Sequence, residues 1–180
     1  AALLDIVSDL VEKPWPLIGH FNETFLSIPK ELLLSEMREH QKYFAVVNDD
    51  GELLPHFIVV AGSKPTDPTA VAAGHSRVLR SRFEDGAFYY EADLKESLED
   101  RVPRLDSVLF QRDLGSLLDK TNRIKNLVKH MTEVLGLDAS VAVPALQAAE
   151  LCKADLVSGV VGEFPELQGV MGRYYAVASD

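Results

Sequence analysis

Glu163-Phe164-Pro165-Glu166-Leu167-Gln168-Gly169-Val170-Met171-Gly172-Arg173-Tyr174-Tyr175, led in by Lys153-Ala154-Asp155-Leu156, is the stretch on which the reading of this 180-residue chain turns. Phe164-Pro165-Glu166-Leu167 predicts a helix start. Proline there gives up an N–H that would have no partner, and an acid in the first turn suits the positive end of the helix. Gly169 and Gly172, three residues apart, then leave a bare stripe along that helix. Glycine costs about 1 kcal/mol in a helix interior, so the pair calls for close approach of another backbone or of a ligand. Tight helix–helix packing is the plain alternative.

Working back from this stretch, Pro144 is expected to start a helix through Ala145, Ala148, Ala149, Cys152 and Leu156. Leu114, Leu117, Leu118, Ile124, Leu127, Met131 and Val134 keep a period near that of a helix until Gly136 ends it. Residues 69–94 carry Val71, Val78, Leu79 and Phe83 at helical spacing. Before them, Gly62-Ser63-Lys64-Pro65-Thr66-Asp67-Pro68 is a turn-rich connector and the expected boundary. Tyr43 to Val47, Asn48-Asp49-Asp50-Gly51 and Leu53 to Val60 read as a hairpin, with Pro55 pointing to an edge position or a bulge. A helix over Lys30 to Gln41 presents Leu32, Leu33 and Met37 on one face. Trp15 to Phe21 reads as extended, and residues 2–12 as a short helix ended by Lys13-Pro14. The fold class is α+β: a small helix and β-hairpin portion over residues 1–66, then a mostly helical portion over 67–180.

Composition sets bounds on function. The chain is 47% hydrophobic, enough for a real core. No run of about 18 apolar residues occurs, so no membrane-spanning helix is expected. The start, Ala1-Ala2-Leu3-Leu4-Asp5, lacks Met and a basic leader and reads as a piece cut from a longer protein. Cys152 is the only cysteine, which fits a reducing cytoplasm, and on an apolar helical face it reads as a small core residue. The net charge of −10 argues against tight RNA binding by this chain alone. Basic residues are nevertheless concentrated: residues 71–129 hold 11 of the 18 lysines and arginines.

Four motifs in order resemble one family. They are Ser35-Glu36-Met37-Arg38-Glu39-His40-Gln41-Lys42-Tyr43-Phe44; Arg77-Val78-Leu79-Arg80-Ser81-Arg82-Phe83-Glu84-Asp85; Leu98-Glu99-Asp100-Arg101 with Phe110-Gln111 and Leu114-Gly115; and the opening stretch. Together they are similar to the β subunit of the two-subunit bacterial glycyl-tRNA synthetase, from about Trp15 to Tyr175. The resemblance implies that residues 67–180 form an HD-like helical domain, truncated at its C-terminal end, and that 1–66 belong to a larger N-terminal region. It implies a non-catalytic part of a cytoplasmic enzyme that attaches glycine to tRNA(Gly) using ATP. ATP and Mg are expected at the α subunit, with no cofactor on this chain. The partners implied are the α subunit and tRNA(Gly), with neither membrane nor DNA.

The candidate chemistry agrees with that expectation. HD phosphohydrolases need an adjacent His-Asp pair for their metals, and the matching position here is Ala154-Asp155, so no metal site is expected. His20, His40, His56, His75 and His130 are scattered without helical zinc spacing. There is no nucleophile elbow, phosphate-binding loop or ATP-site signature, and Cys152 among apolar neighbours is no activated thiol. No catalytic residue is assigned. The remaining candidates are basic: Arg77, Arg80 and Arg82; Arg101 and Arg104; and Lys120, Arg123 and Lys125. Arginine forks suit phosphate, whereas interleaved Glu84, Asp85, Glu99 and Asp100 offer ordinary salt bridges. Contact with tRNA, a solvated salt-bridged face, and contact with the rest of the subunit or its partner stay open. So do two other functions, a metal-dependent HD-type phosphohydrolase and a purely structural interaction module.

Overall fold

The computed structural model describes residues 2–179 and divides into two compact units, 1–88 and 89–180. The division falls inside a long helix, not at the connector expected to separate 1–66 from 67–180. The connector changes direction, but the apolar side chains of the helix that follows still belong to the first core.

Unit 1 begins with α1 (Ala2–Leu10), ended before Pro14, and β1 (Trp15–His20). Helix α2 (Lys30–Ser35) runs on through a π turn, Glu36–His40, and buries Leu32, Leu33 and Met37 as their spacing requires. Strands β2 (Phe44–Val47) and β3 (Leu53–Ala61) form the expected hairpin. The Asn48 side-chain oxygen accepts N–H bonds from Asp50 and Glu52, and Gly51 takes φ +80°. The sheet order is β1-β3-β2, all antiparallel. Pro55 therefore lies in the central strand and not at an edge. It is tolerated because the β2–β3 register shifts beside it, while its carbonyl still accepts from Phe21 N–H.

Helix α3 (Pro68–Asp93) covers this sheet with Leu79 and Phe83, both fully buried. Phe83 meets Phe21 and Phe25 edge-on at 5.1 and 5.4 Å, and Tyr43 stacks on Phe57 at 4.8 Å. Phe57 lies over Gly19 of the neighbouring strand, where an added Cβ would stand 2.1 Å from the ring. Only glycine fits that position.

Unit 2 contains α4 (Leu98–Arg101), a short ribbon of β4 (Leu109–Gln111) and β5 (Gly115–Ser116), α5 (Leu117–Val134), α6 (Ala139–Leu151), α7 (Gly159–Glu163) and α8 (Val170–Ser179). Several boundaries differ from expectation for local reasons. Leu114 lies in the ribbon turn, and α5 starts at a capping box of Ser116 and Asp119. Gly136, at φ +60°, follows α5 as expected. Helix α6 is started by the Asp138 cap on Ser140 N–H, so Pro144 sits inside the helix and does not open it. Phe164-Pro165-Glu166-Leu167 makes only a 3-10 turn before α8. The Leu127, Met131 and Val134 face of α5 is exposed, while Thr121 and Thr132 are its buried side chains. Cys152 is exposed as well, so it is not a core residue.

Candidate functional site

Asp155 closes the question raised by the paired glycines. Lys153-Ala154-Asp155 leads into a 3-10 turn, Ala154–Val157, in which Ala154 and Asp155 are both buried. Asp155 Oδ2 accepts N–H bonds from Gly169 and, at 3.1 Å, from Gly172. The carboxylate thus caps α8 from fourteen and seventeen residues away, where free N–H groups and the positive helix end favour an anion. Gly169 lies outside the helix at φ +78°, a backbone conformation that suits glycine. Gly172 lies inside it, and a Cβ there would stand 3.2 Å from Asp155 Oδ2. The close approach that Gly172 permits is therefore by a carboxylate, not by a second helix backbone, whereas Gly169 answers to its backbone conformation alone.

This geometry does not fit a metal-ligand pair at 154 and 155. An alanine methyl offers no lone pair, and the Asp155 oxygen is turned to two N–H donors. Among the described residues no group of three or more His, Cys, Asp or Glu is arranged to hold a metal ion.

A second buried acid organises the start of α7. Asp93 accepts from Gly159 N–H at 2.7 Å and Val160 N–H at 2.9 Å, holding the start of α7. It also accepts from the Tyr175 hydroxyl at 2.7 Å. Burial, reinforced by the neighbouring Asp93 carboxylate, pushes the Tyr175 phenol far above its ordinary pKa. Arg101 is completely buried beside them, 3.6 Å from Asp93 Oδ1, 3.2 Å from Glu96 and 4.8 Å from the Tyr175 ring centre. Its Nη2 donates to the Asp93 carbonyl.

That placement corrects the proposed role of Arg101, which has no surface with which to touch RNA. Arg104 is half-exposed but tied to Glu96 at 2.8 Å and the Val157 carbonyl at 2.9 Å. Lys120 lies 3.9 Å from the Phe110 ring centre. Arg123 donates to the Leu114 carbonyl at 2.9 Å, and Lys125 pairs with Glu150 at 2.6 Å. These four carry local contacts in unit 2, but only Arg104 and Lys125 do so through salt bridges, and with Glu96 and Glu150, not with the interleaved acids expected from the sequence.

The α3 arginines differ. Arg77, Arg80 and Arg82 are all exposed. Arg80 approaches Glu84 at 3.7 Å, but both side chains are more than half exposed, and such pairs are worth about 0–1 kcal/mol. Arg77 and Arg80, one turn apart, line an open groove of about 320 Å³ together with His20, Asn22 and Ser76. Arg82 is not among its lining residues. The groove runs between α3 and the free edge of β1, where Ser76 Oγ accepts the His20 N–H at 3.2 Å.

Sequence reading missed the histidine at this groove. His20 pairs in register with His56, and their Nδ1 atoms lie 2.8 Å apart. Residues 36 positions apart show no motif, and the only signal would have been the β1–β3 register. His75 is engaged elsewhere: its Nδ1 lies 2.7 Å from the Tyr43 hydroxyl, and burial lowers its pKa.

With this geometry in place, comparison with known proteins places the chain. A family model described as glycyl-tRNA synthetase beta subunit matches residues 1–180. The glycine–tRNA ligase beta subunit of Desulforapulum autotrophicum is 47% identical over 174 residues, 97% of this chain and 25% of that protein. That of Desulfatibacillum aliphaticivorans is 48% identical, again over 97% of this chain and 25% of the relative. The Synechocystis protein is 45% identical over 177 residues, 98% of this chain and 24% of its own length. The chain belongs to the glycyl-tRNA synthetase beta subunit family. It spans about a quarter of the length of the curated relatives it matches.

Proposed function

We propose that this chain is a non-catalytic part of a glycine–tRNA ligase, helping to position tRNA(Gly) and to build the β subunit of the α/β enzyme. In that enzyme ATP and Mg act at the α subunit, and the assembly works in the cytoplasm. The observation that carries the reading is the exposure of Arg77, Arg80 and Arg82 on α3, with Arg77 and Arg80 on one face and only a loose, exposed Arg80–Glu84 pair among them. Guanidinium groups in that setting remain available to phosphate oxygens. The helical region supports the non-catalytic part of the reading. Asp155 is occupied as a helix cap, and its neighbour Ala154 is no ligand.

The test is charge reversal, R77E/R80E, in the assembled α/β enzyme. Aminoacylation should lose about tenfold or more in kcat/KM for tRNA, mainly through KM. The slope of log affinity against log salt should fall by about 1 for each phosphate contact removed. Unchanged kinetics and an unchanged salt slope would favour the purely structural module instead. Stoichiometric Mn, Fe or Ni in the purified protein, with activity on nucleotides, would favour a phosphohydrolase.

A further inference from the structure

We propose that the groove between β1 and α3 is a seat for a single phosphate group, built from His20, Asn22, Ser76, Arg77 and Arg80 and set by His56. The inference deepens the tRNA-facing reading of α3 and rests on it for the source of the phosphate, though the seat itself is tested separately.

The hydrogen-bond inventory of the groove is one-sided. Asn22 Oδ1 is used by Thr24 N–H at 3.0 Å, which leaves the two N–H donors of its amide. Ser76 Oγ accepts from His20 N–H, which leaves the hydroxyl proton to donate. Among the described residues the Arg77 side chain makes no ion pair or hydrogen bond, and the Arg80 side chain has only the loose Glu84 contact. Both side-chain oxygens are already engaged by an N–H of the fold, while the amide, hydroxyl and guanidinium donors are largely left over. Such a concavity, carrying two guanidinium groups in a chain of net charge −10, is complementary to a compact oxyanion.

The histidine pair completes the set. An Nδ1 to Nδ1 separation of 2.8 Å needs one ring to donate and the other to accept. When His56 is the donor, His20 accepts on Nδ1 and carries its own proton on Nε2, free to bond a phosphate oxygen. A bound anion favours this arrangement over the reverse one, in which His20 Nε2 would present a lone pair. His56 is thus a positioning residue that acts through the tautomer of His20.

The experiment is NMR titration of the full chain with inorganic phosphate, dimethyl phosphate, acetate and a short RNA hairpin. Both phosphates should shift the amides of His20 and Ser76, and long-range proton–nitrogen spectra should show His20 as the Nε2–H tautomer. R77Q/R80Q should weaken phosphate binding by about tenfold or more, and H56F should weaken it less while releasing the His20 tautomer. Equal shifts from acetate, unchanged affinity in R77Q/R80Q, or a phosphate-bound His20 in the Nδ1–H form would each overturn the seat. Loss of phosphate binding in R77Q/R80Q with undiminished hairpin binding would uphold the seat and overturn the tRNA reading instead.

Discussion

The two units hold themselves together by different means. Unit 1 is an apolar and aromatic core, with Leu17, Phe21, Tyr43, Phe57, Leu79 and Phe83 meeting under a three-stranded sheet. Unit 2 has buried aliphatics too, but its helix ends are tied by two acids. Asp93 holds α7, Arg101 and Tyr175, and Asp155 holds α8. A hydrophobic core degrades gradually as methylenes are removed. A buried polar cluster fails abruptly, because removing one partner leaves the others desolvated and unpaired.

The sharpest way to break this contrast is Asp93→Ala. It takes one of two carboxylate partners from Arg101, leaving Glu96, and strands two backbone N–H groups and the Tyr175 hydroxyl; the loss should be about 3–5 kcal/mol, read by denaturant unfolding. A loss under 1 kcal/mol would mean that unit 2 is held by its aliphatics after all. In unit 1 the matching probe is Gly19→Val, which drives a side chain into the fully buried Phe57 ring and should cost about 3 kcal/mol. Adding Phe57→Leu should recover part of that loss; no recovery would place the strain elsewhere.

Tyr175→Phe is expected to cost about 1.5–3 kcal/mol at neutral pH, since a hydrogen bond to a buried carboxylate is lost. Its pH signature is more specific. The unfolded chain releases the phenolic proton near pH 10, whereas the folded state holds it to higher pH. Above that point the unfolded state binds fewer protons, so wild-type stability falls as pH rises, and the fall is shallower in Tyr175→Phe. Parallel stability curves for the two proteins would contradict the buried-phenol geometry.

The smallest effect is the most diagnostic. Asp155→Ala should cost about 1–2 kcal/mol as a lost helix cap. Gly172→Ala should destabilise the wild type, where the new methyl meets the carboxylate. In an Asp155→Ala background it should instead be neutral or stabilising, because alanine is favoured over glycine within a helix by about 1 kcal/mol. Additive effects in this cycle would dissociate the glycine from the acid.

The same contrast explains what the sequence revealed. Leu32, Leu33, Met37, Leu79 and Phe83 were legible because burial imposes a period on apolar residues, and the Asn48–Gly51 turn was legible because its backbone demands those residue types. The acid cluster carries no period. Asp93 and Asp155 act across 66 and 14 or more positions of chain, so nothing nearby marks them as caps. In sequence Arg101 looked no different from Arg104 or Arg77, yet Arg101 is buried, Arg104 tied and Arg77 open. Pro144 misled for a related reason: Asp138 supplied a stronger start signal, and a proline six residues into the helix was absorbed. The groove was half legible, since its arginines share a helix face whereas its histidines depend on strand register.

The commitment of Asp155 to α8 makes the arrangement around it hard to reverse by small steps. Ala154→His would restore the His-Asp dipeptide, but it would push an imidazole into a position with no exposed surface. Any cation it recruited would compete with Gly169 and Gly172 for the same oxygen. Gain of a metal and fraying of the C-terminal helix would be two readings of one equilibrium. A route toward hydrolase chemistry through this dipeptide would therefore pass through an unwound α8 before reaching a working metal centre.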